Sequence, residues 1–112
     1  MSSDSSTVTV QALAPTVMIS ATTASPGALI IVTVANGPGN AMDWVTLVSA
    51  SAADTSYLAW KFLNDSGQIP AAGVTTATLT FTAPTTPGTY NFRLFANNTF
   101  TKLATSTPVT VQ

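Results

Sequence analysis

The sequence predicts an all-β domain in which two antiparallel sheets pack face to face as a β-sandwich. Short runs of Thr, Val, Ala and Ser alternate between apolar and polar with a period of two, as in strands with one buried face. Turn signals built from Pro, Gly and Asn separate these runs, and no stretch shows a helical period. The chain has 112 residues, 46% of them hydrophobic, which suits one domain with one core. We therefore expect one sandwich of about seven to eight strands.

The predicted strands follow one another between strong turn signals. Ser25-Pro26-Gly27 separates the first two strands, and the run Asn-Gly-Pro-Gly-Asn at 36–40 is the strongest break in the chain. Pro108 interrupts the last strand, which suits an edge or a bulge. In chain order, the expected strands cover residues 16–21, 28–35, 43–49, 57–63, 75–82, 89–96 and 101–112.

The composition excludes several classes of function. Only 6% of the residues are charged, the formal net charge is −1, and His, Cys and Glu are absent. Such a chain offers no basic footprint for nucleic acid and no polybasic attraction to a membrane. Without cysteine there is no disulfide framework and no thiolate chemistry. The longest apolar run, residues 28–32, is far too short to span a bilayer, so we expect neither a nucleic-acid nor a membrane partner.

The beginning and the end of the chain carry the same short motif. Residues 8–11 and 109–112 both read Val-Thr-Val-Gln. A repeat at nearly the length of the domain favours a tandem array, although a Thr-rich chain can produce such a match by chance. We therefore expect residues 1–11 to be a disordered start and the remnant last strand of a preceding module, and residues 12–112 to be the domain. No basic segment precedes an apolar one, so no signal peptide is predicted.

Alternation along the first two strands predicts an apolar patch outside the core. The expected core side of these strands consists of Val17, Ile19, Ile30, Val32 and Val34. Met18, Leu29 and Ile31 then point outward, and the short turn between the strands should make them neighbours. A cluster of this kind in a threonine-rich sheet predicts a surface for a protein partner or for symmetric homodimerisation. The alternative is that one strand has the opposite register, which would make these residues part of the core.

Three aromatic segments resemble a known group of β-sandwich modules. They are Asp-Trp-Val-x-Leu at 43–47, the aromatic strand that ends at Trp60, and Gly-Thr-Tyr-x-Phe-Arg-Leu-Phe at 88–95. This order resembles the bacterial immunoglobulin-like or fibronectin-III-like modules of secreted multidomain proteins. It is also similar to the SKICH domain and to the sandwich that precedes the catalytic domain of purple acid phosphatases. The resemblance covers about residues 15–112.

The resemblance implies a fold and a set of roles. It implies an immunoglobulin-like sandwich, secreted or on the cell surface, that acts as a spacer, a docking module or a carbohydrate-facing accessory rather than as an enzyme. The chain departs from the pattern at Thr46, where the relatives usually carry glycine. It also departs at the apolar positions Met18, Leu29 and Ile31, and these departures disfavour a simple spacer.

Candidate catalytic and metal-binding residues are few. Asp43 and Asp54 are the nearest carboxylate pair for acid–base chemistry, but we expect Asp43 to cap a loop through backbone N–H groups. A Ser–Lys arrangement would have to use Lys61 or Lys102, and the sequence places no serine beside either of them. Asp43, Asp54 and Asp65 lack the spacing of a calcium loop. We therefore expect no enzyme activity, no metal and no cofactor.

Exposed aromatic rings would suit a carbohydrate ligand. Tyr57 and Trp60 form the candidate sugar platform, with Phe95 and Phe100 as further candidates. Trp44 is expected to be structural, and Tyr90 follows a Pro-Gly-Thr turn, where a tyrosine corner would stand.

The expected function is therefore that of a non-catalytic accessory or interaction module from a secreted bacterial multidomain protein. The alternatives are a carbohydrate-binding module and a scaffold whose surface was redesigned to bind itself or a partner.

Overall fold

The computed structural model describes residues 14–112. The remnant strand expected at 7–11, and with it the boundary between residues 11 and 12, lies outside the described residues. Within them the chain forms nine strands and a single 3₁₀ turn, Asp54–Ser56. The strands are β1 (Thr16–Ile19), β2 (Thr23–Ala24), β3 (Leu29–Ala35), β4 (Trp44–Ser49), β5 (Ala59–Phe62), β6 (Ala77–Thr82), β7 (Gly88–Phe95), β8 (Lys102–Thr105) and β9 (Val109–Val111).

The strands form two packed sheets, which confirms the predicted all-β sandwich. The three-stranded sheet has the order β1-β3-β6, and the six-stranded sheet has the order β2-β9-β7-β4-β5, with β8 also paired to β7. All pairs are antiparallel except β9 with β2, which run parallel.

The first strand ends two residues before the end of the predicted range 16–21, and a separate short strand follows in the other sheet. The part up to Ile19 pairs with β3, and the chain then crosses to the other sheet, where Thr23 and Ala24 lie beside β9. The crossing is fixed by backbone bonds, Ser20 N–H to Ile31 O at 3.0 Å and Thr110 N–H to Thr22 O at 2.8 Å. Sequence alternation missed this division because a strand of two residues has no period to detect.

The core between the sheets has the composition that the alternation predicts. The inward side chains of β3 and β6 are buried, and those of β7 face them from the other sheet. The rings of Phe81 and Phe92 meet across the core with their centroids 5.0 Å apart. The largest of the fully buried core side chains are Phe92, Ile30, Leu47, Leu79 and Leu94. Burying each aliphatic side chain contributes about 1.5–3 kcal/mol to folding.

A second apolar cluster lies on the opposite, outer face of the six-stranded sheet. Trp44, Phe62 and Phe95 are buried there, with Met42 and Tyr57 packed against them. The strand pattern predicts that the side chain of Phe95 points away from the core, and this prediction is confirmed. The side chain is nevertheless fully buried, so Phe95 is not available as part of a sugar platform.

Tyr90 occupies the tyrosine corner predicted at the start of β7. Its hydroxyl donates a hydrogen bond to the backbone carbonyl of Thr86 at 2.6 Å. The side chain packs against Gly88, since a Cβ built on this glycine would lie 3.5 Å from both Cε2 and the hydroxyl oxygen of Tyr90. The corner fixes the direction in which the chain enters β7.

Candidate functional site

The predicted apolar patch is exposed on the outer face of the three-stranded sheet. The exposed fractions of Met18, Leu29 and Ile31 are 64%, 69% and 38%. The register between β1 and β3 pairs Val17 with Val34 and Met18 with Thr33, which gives both strands the predicted faces. The alternative in which these residues belong to the core is therefore wrong.

Threonines surround the patch and replace the charged residues usual on an exposed sheet. On β6, Thr82 pairs with Leu29, Thr80 with Ile31 and Thr78 with Thr33. One ion pair adjoins this face at the edge of β6, where the hydroxyl of Thr80 donates to Asp65 at 3.1 Å. The patch itself consists of threonine side chains and three protruding aliphatic side chains.

A groove adjoins this patch at the edge of β6. It has a volume of about 620 Å³ and opens between β5 and the turn that leads from β6 into β7. Leu47 and Tyr90, both buried members of the core, line it together with exposed side chains. The lining residues include Leu47, Leu58, Ala59, Thr82, Pro84 and Tyr90. Sequence reasoning missed the groove because it depends on how two separate loops are placed.

The aromatic residues proposed as a sugar platform pack around Trp44. Tyr57 and Trp60 meet Trp44 edge to face, with centroids 5.5 and 6.1 Å away and interplanar angles of 83° and 88°. Phe100 lies 5.3 Å from Trp44 on the turn after β7. Trp60 and Phe100 keep 37% and 47% of their surface exposed, whereas Tyr57 is half-buried. Much of the surface of these rings is therefore buried within the cluster, and only part of it remains exposed to solvent.

Asp43 is fully buried and joins two loops at one end of the sandwich. Its carboxylate accepts hydrogen bonds from the backbone N–H and side-chain amide of Asn40, at 3.1 and 3.2 Å, and from the N–H of Asn97, at 2.9 Å. These bonds agree with the expected loop-capping role and extend it to the turn after β7. A carboxylate occupied in this way is not positioned for acid–base chemistry.

Arg93 anchors the loop after β4 to the outer face of the six-stranded sheet. Its guanidinium donates to the carbonyl of Ala52 at 3.0 Å and to Asp54 at 2.8 Å, and more weakly to the carbonyls of Ser49 and Ala50. Lys102 contacts the same Asp54 oxygen at 3.0 Å. Partial burial acts to raise the pKa of Asp54, but the hydrogen bonds and charges of Lys102 and Arg93 outweigh it and lower that pKa.

Asp65 and Lys61 close the edge of β6. Asp65, at a positive φ of 62°, accepts from the N–H of Thr80 at 3.0 Å, and Lys61 donates to the carbonyl of Thr80 at 2.6 Å. The two side chains also contact each other at 2.9 Å. Burial acts to raise the pKa of Asp65, but hydrogen bonds from Lys61 and Thr80 outweigh it and lower that pKa.

Thr46, where the resembling modules usually have glycine, lies on the outer face of β4. It stands between Trp60 on β5 and Arg93 on β7 in the strand register. Its hydroxyl is buried, and no group within residues 14–112 forms a hydrogen bond with it. The surroundings of this hydroxyl indicate no role in binding a ligand.

The candidate catalytic and metal-binding residues are held apart. Asp43, Asp54 and Asp65 each have separate partners, and within residues 14–112 no three acidic, His or Cys side chains form a group that could hold a metal ion. In that same part of the chain, the side chains of Lys61 and Lys102 bond to aspartates, and Lys61 also to a backbone carbonyl. No helix among the described residues is long and apolar enough to cross a membrane.

The comparisons with known proteins do not assign the chain to a family. No protein-family model matches it, and a search of curated proteins gives no match. The resemblance to immunoglobulin-like and fibronectin-III-like modules therefore stays a prediction, and the structural finding is the β-sandwich itself.

Proposed function

We propose that this protein is a non-catalytic interaction module that associates with itself through the outer face of the three-stranded sheet. The observation that carries the proposal is the exposure of Met18, Leu29 and Ile31 on a sheet otherwise covered by threonine. Large exposed apolar side chains that cluster on one face mark interaction sites. The low charge of the face supports a partner surface that is equally uncharged, and a second copy of the chain provides one.

The proposed origin is a secreted bacterial multidomain protein. The support is the resemblance of the three aromatic segments to modules of such proteins, together with a surface rich in Thr, Ser and Asn. A module of this kind would contribute contacts rather than chemistry. The pairing of Lys61 and Lys102 with aspartates also favours a role without catalysis.

The test compares oligomeric state between matched variants. The chain is examined by sedimentation and by light scattering over a range of concentrations, and we expect a monomer–dimer equilibrium. Changing Met18, Leu29 and Ile31 to Thr should give a folded monomer. As a control, Ile69→Thr with Val74→Thr removes exposed aliphatic side chains from a loop outside the patch and should leave the dimer intact. A chain that stays monomeric at millimolar concentration would refute self-association.

A further inference from the structure

Two segments of the chain match the acceptor sequence for N-linked glycosylation. This sequence is Asn-x-Ser/Thr, where x is any residue except proline, and it occurs at residues 64–66 and 97–99. The hydroxyls of Ser66 and Thr99 are both hydrogen-bonded within their own turns, so they do not distinguish the two segments. The difference lies in the side-chain amides, whose nitrogen is the atom that receives the sugar.

The amide of Asn64 is bound within its own turn. Its Nδ2 donates to the carbonyl of Gln68 at 3.1 Å, and its Oδ1 accepts from the N–H of Ser66 at 3.3 Å and from the hydroxyl of that residue at 3.1 Å. The middle residue of this segment, Asp65, is held by the N–H and the hydroxyl of Thr80 on β6. An enzyme would therefore have to break these bonds before it could reach the nitrogen of Asn64.

Asn97 lies at the tip of the hairpin between β7 and β8. Asn97 and Asn98 have positive φ angles of 49° and 58°, and the N–H of Thr99 donates to the carbonyl of Ala96 at 2.9 Å, which is the pattern of a type I′ turn. The backbone N–H of Asn97 donates to Asp43 at 2.9 Å. The residue is exposed, and within residues 14–112 no hydrogen bond engages its side-chain amide.

We propose that Asn97 is an acceptor site for an N-linked glycan and that Asn64 is not. This inference rests on the secreted origin proposed above, since the acceptor sequence is used on the surface of secreted proteins. In the transfer, the amide nitrogen of Asn97 forms a bond to C1 of the first sugar and loses one proton. The bond from C1 to the diphosphate of a lipid carrier breaks, and the lipid diphosphate leaves with the electron pair of that bond. The donor is therefore a lipid-linked oligosaccharide.

The hairpin tip is held in place by contacts that do not involve this amide. The N–H of Asn98 donates to the carbonyl of Met42 at 2.8 Å, and Trp44 Nε1–H donates to the carbonyl of Thr99 at 3.0 Å. Together with the bond between Asn97 N–H and the buried carboxylate, these contacts fix the backbone of the tip on both sides of the turn. The acceptor residue is therefore presented at a fixed position on the surface.

A glycan at this position would lie beside the aromatic cluster around Trp44. Phe100, three residues after Asn97, is 47% exposed, and its ring centroid lies 5.3 Å from that of Trp44. Because N-linked sugars are bulky and solubilising, a glycan here would shield this exposed ring. The apolar patch lies on the outer face of the other sheet, so the glycan and the proposed self-association do not compete for one surface.

The test incubates the folded full chain with an oligosaccharyltransferase that recognises Asn-x-Ser/Thr and with a lipid-linked oligosaccharide. Intact mass counts the glycans, and peptide mapping locates them. We expect one glycan, on Asn97, with transfer to Asn64 slower by about tenfold or more, because the amide of Asn64 must first be released from its hydrogen bonds. Asn97→Gln and Thr99→Ala should reduce modification to the slow rate of Asn64, and the matched change Asn64→Gln should leave it unchanged.

Two synthetic peptides separate the effect of sequence from the effect of structure. Peptides of residues 60–70 and 93–103 contain the two acceptor segments without the folded contacts, and both should be modified. A folded chain that is modified at Asn64 as fast as at Asn97 would overturn the inference. So would a folded chain that stays unmodified while the same enzyme modifies a standard acceptor peptide. Self-association is measured on the chain without glycan, so either proposal can fail without the other.

Discussion

Replacing Arg93 with methionine is expected to release the loop after β4 from the outer face of the six-stranded sheet. The arginine side chain is nearly fully buried, and methionine keeps its apolar stem while removing all of its N–H donors. Three hydrogen bonds of 3.0 Å or less are lost, to Asn91, Ala52 and Asp54, together with two longer ones to backbone carbonyls. Tyr57, near the end of this loop, packs against Trp44, so release of the loop should also loosen the aromatic cluster.

The expected cost follows from the environment of these bonds. Hydrogen bonds to charged groups contribute about 1.5–3 kcal/mol each, and breaking a buried ion pair costs about 3–5 kcal/mol. Asp54 retains Lys102 and some solvent exposure, and the loop carbonyls can turn towards water, so the sum overstates the loss. We expect a loss of about 2–4 kcal/mol in the free energy of unfolding. Since domains of this size have about 5–15 kcal/mol in total, this is a large fraction.

Urea denaturation followed by tryptophan fluorescence measures the effect, since Trp44 and Trp60 lie in the affected cluster. The midpoint should fall while the slope stays constant. The midpoint of Arg93→Lys should lie between those of the unchanged protein and Arg93→Met, because lysine keeps the charge but cannot form the guanidinium fork. Lys102→Met removes the exposed partner of Asp54 and should cost less than about 1 kcal/mol. If Arg93→Met costs no more than Lys102→Met, the assigned role of Arg93 is wrong.

Four further predictions concern the hydroxyl of Tyr90, the buried hydroxyl of Thr46, the pH dependence of stability and the binding of carbohydrate. Tyr90→Phe should lower the free energy of unfolding by about 0.5–1.5 kcal/mol through loss of the bond to Thr86, and an unchanged urea midpoint would contradict it. Thr46→Val should be neutral or stabilising by up to about 1 kcal/mol, because it removes a buried hydroxyl without a partner; a clear loss of stability would reveal a bond to that hydroxyl. The pKa values of Asp54 and Asp65 are lowered in the folded state, so their stabilisation is present above the ordinary value of 3.8 and is lost as the pH falls below it. Replacing both Asp54 and Asp65 with Asn should therefore reduce the decline of the urea midpoint between pH 5 and pH 2. An equally steep decline in the variant and in the unchanged protein would refute this. Soluble polysaccharides should leave the tryptophan fluorescence unchanged, and a saturable quenching lost in Tyr57→Ala would instead favour the carbohydrate-binding alternative.

Alternation in the sequence was sufficient to place most strands and their faces. It assigned Val17 to the core and Met18 to the outside because a strand with one buried face repeats every two residues. The same argument held for Leu29 and Ile31, whose neighbours in β3 are buried. The strand at 75–82 was predicted two residues too long, since regular pairing with β3 begins only at Ala77 and Thr75 bonds instead to the N–H of Gly37 in the loop after β3.

Alternation does not say what covers the outward face of a strand. Phe95 and Arg93 point away from the core as predicted, yet both are buried because two loops fold over that side of the sheet. The cover depends on contacts between segments far apart in the chain, such as Arg93 with Ala52 and Trp44 Nε1–H with Thr99 O. Period and turn signals describe only local sequence, so they give no access to these contacts. The groove beside β6 was missed for the same reason.

The way the edge of β6 is closed bears on the route by which two copies can meet. An exposed strand edge can pair with another chain through its free N–H and C=O groups, which natural sheets usually prevent. Here Asp65 takes the N–H of Thr80 and Lys61 takes its carbonyl, so this part of the edge cannot extend the sheet. Specific contact must then come from side chains on the face, and Leu29 and Ile31 are the apolar side chains next to this closed edge. The same ion pair that blocks edge pairing thus leaves the outer face of the three-stranded sheet as the surface proposed for self-association.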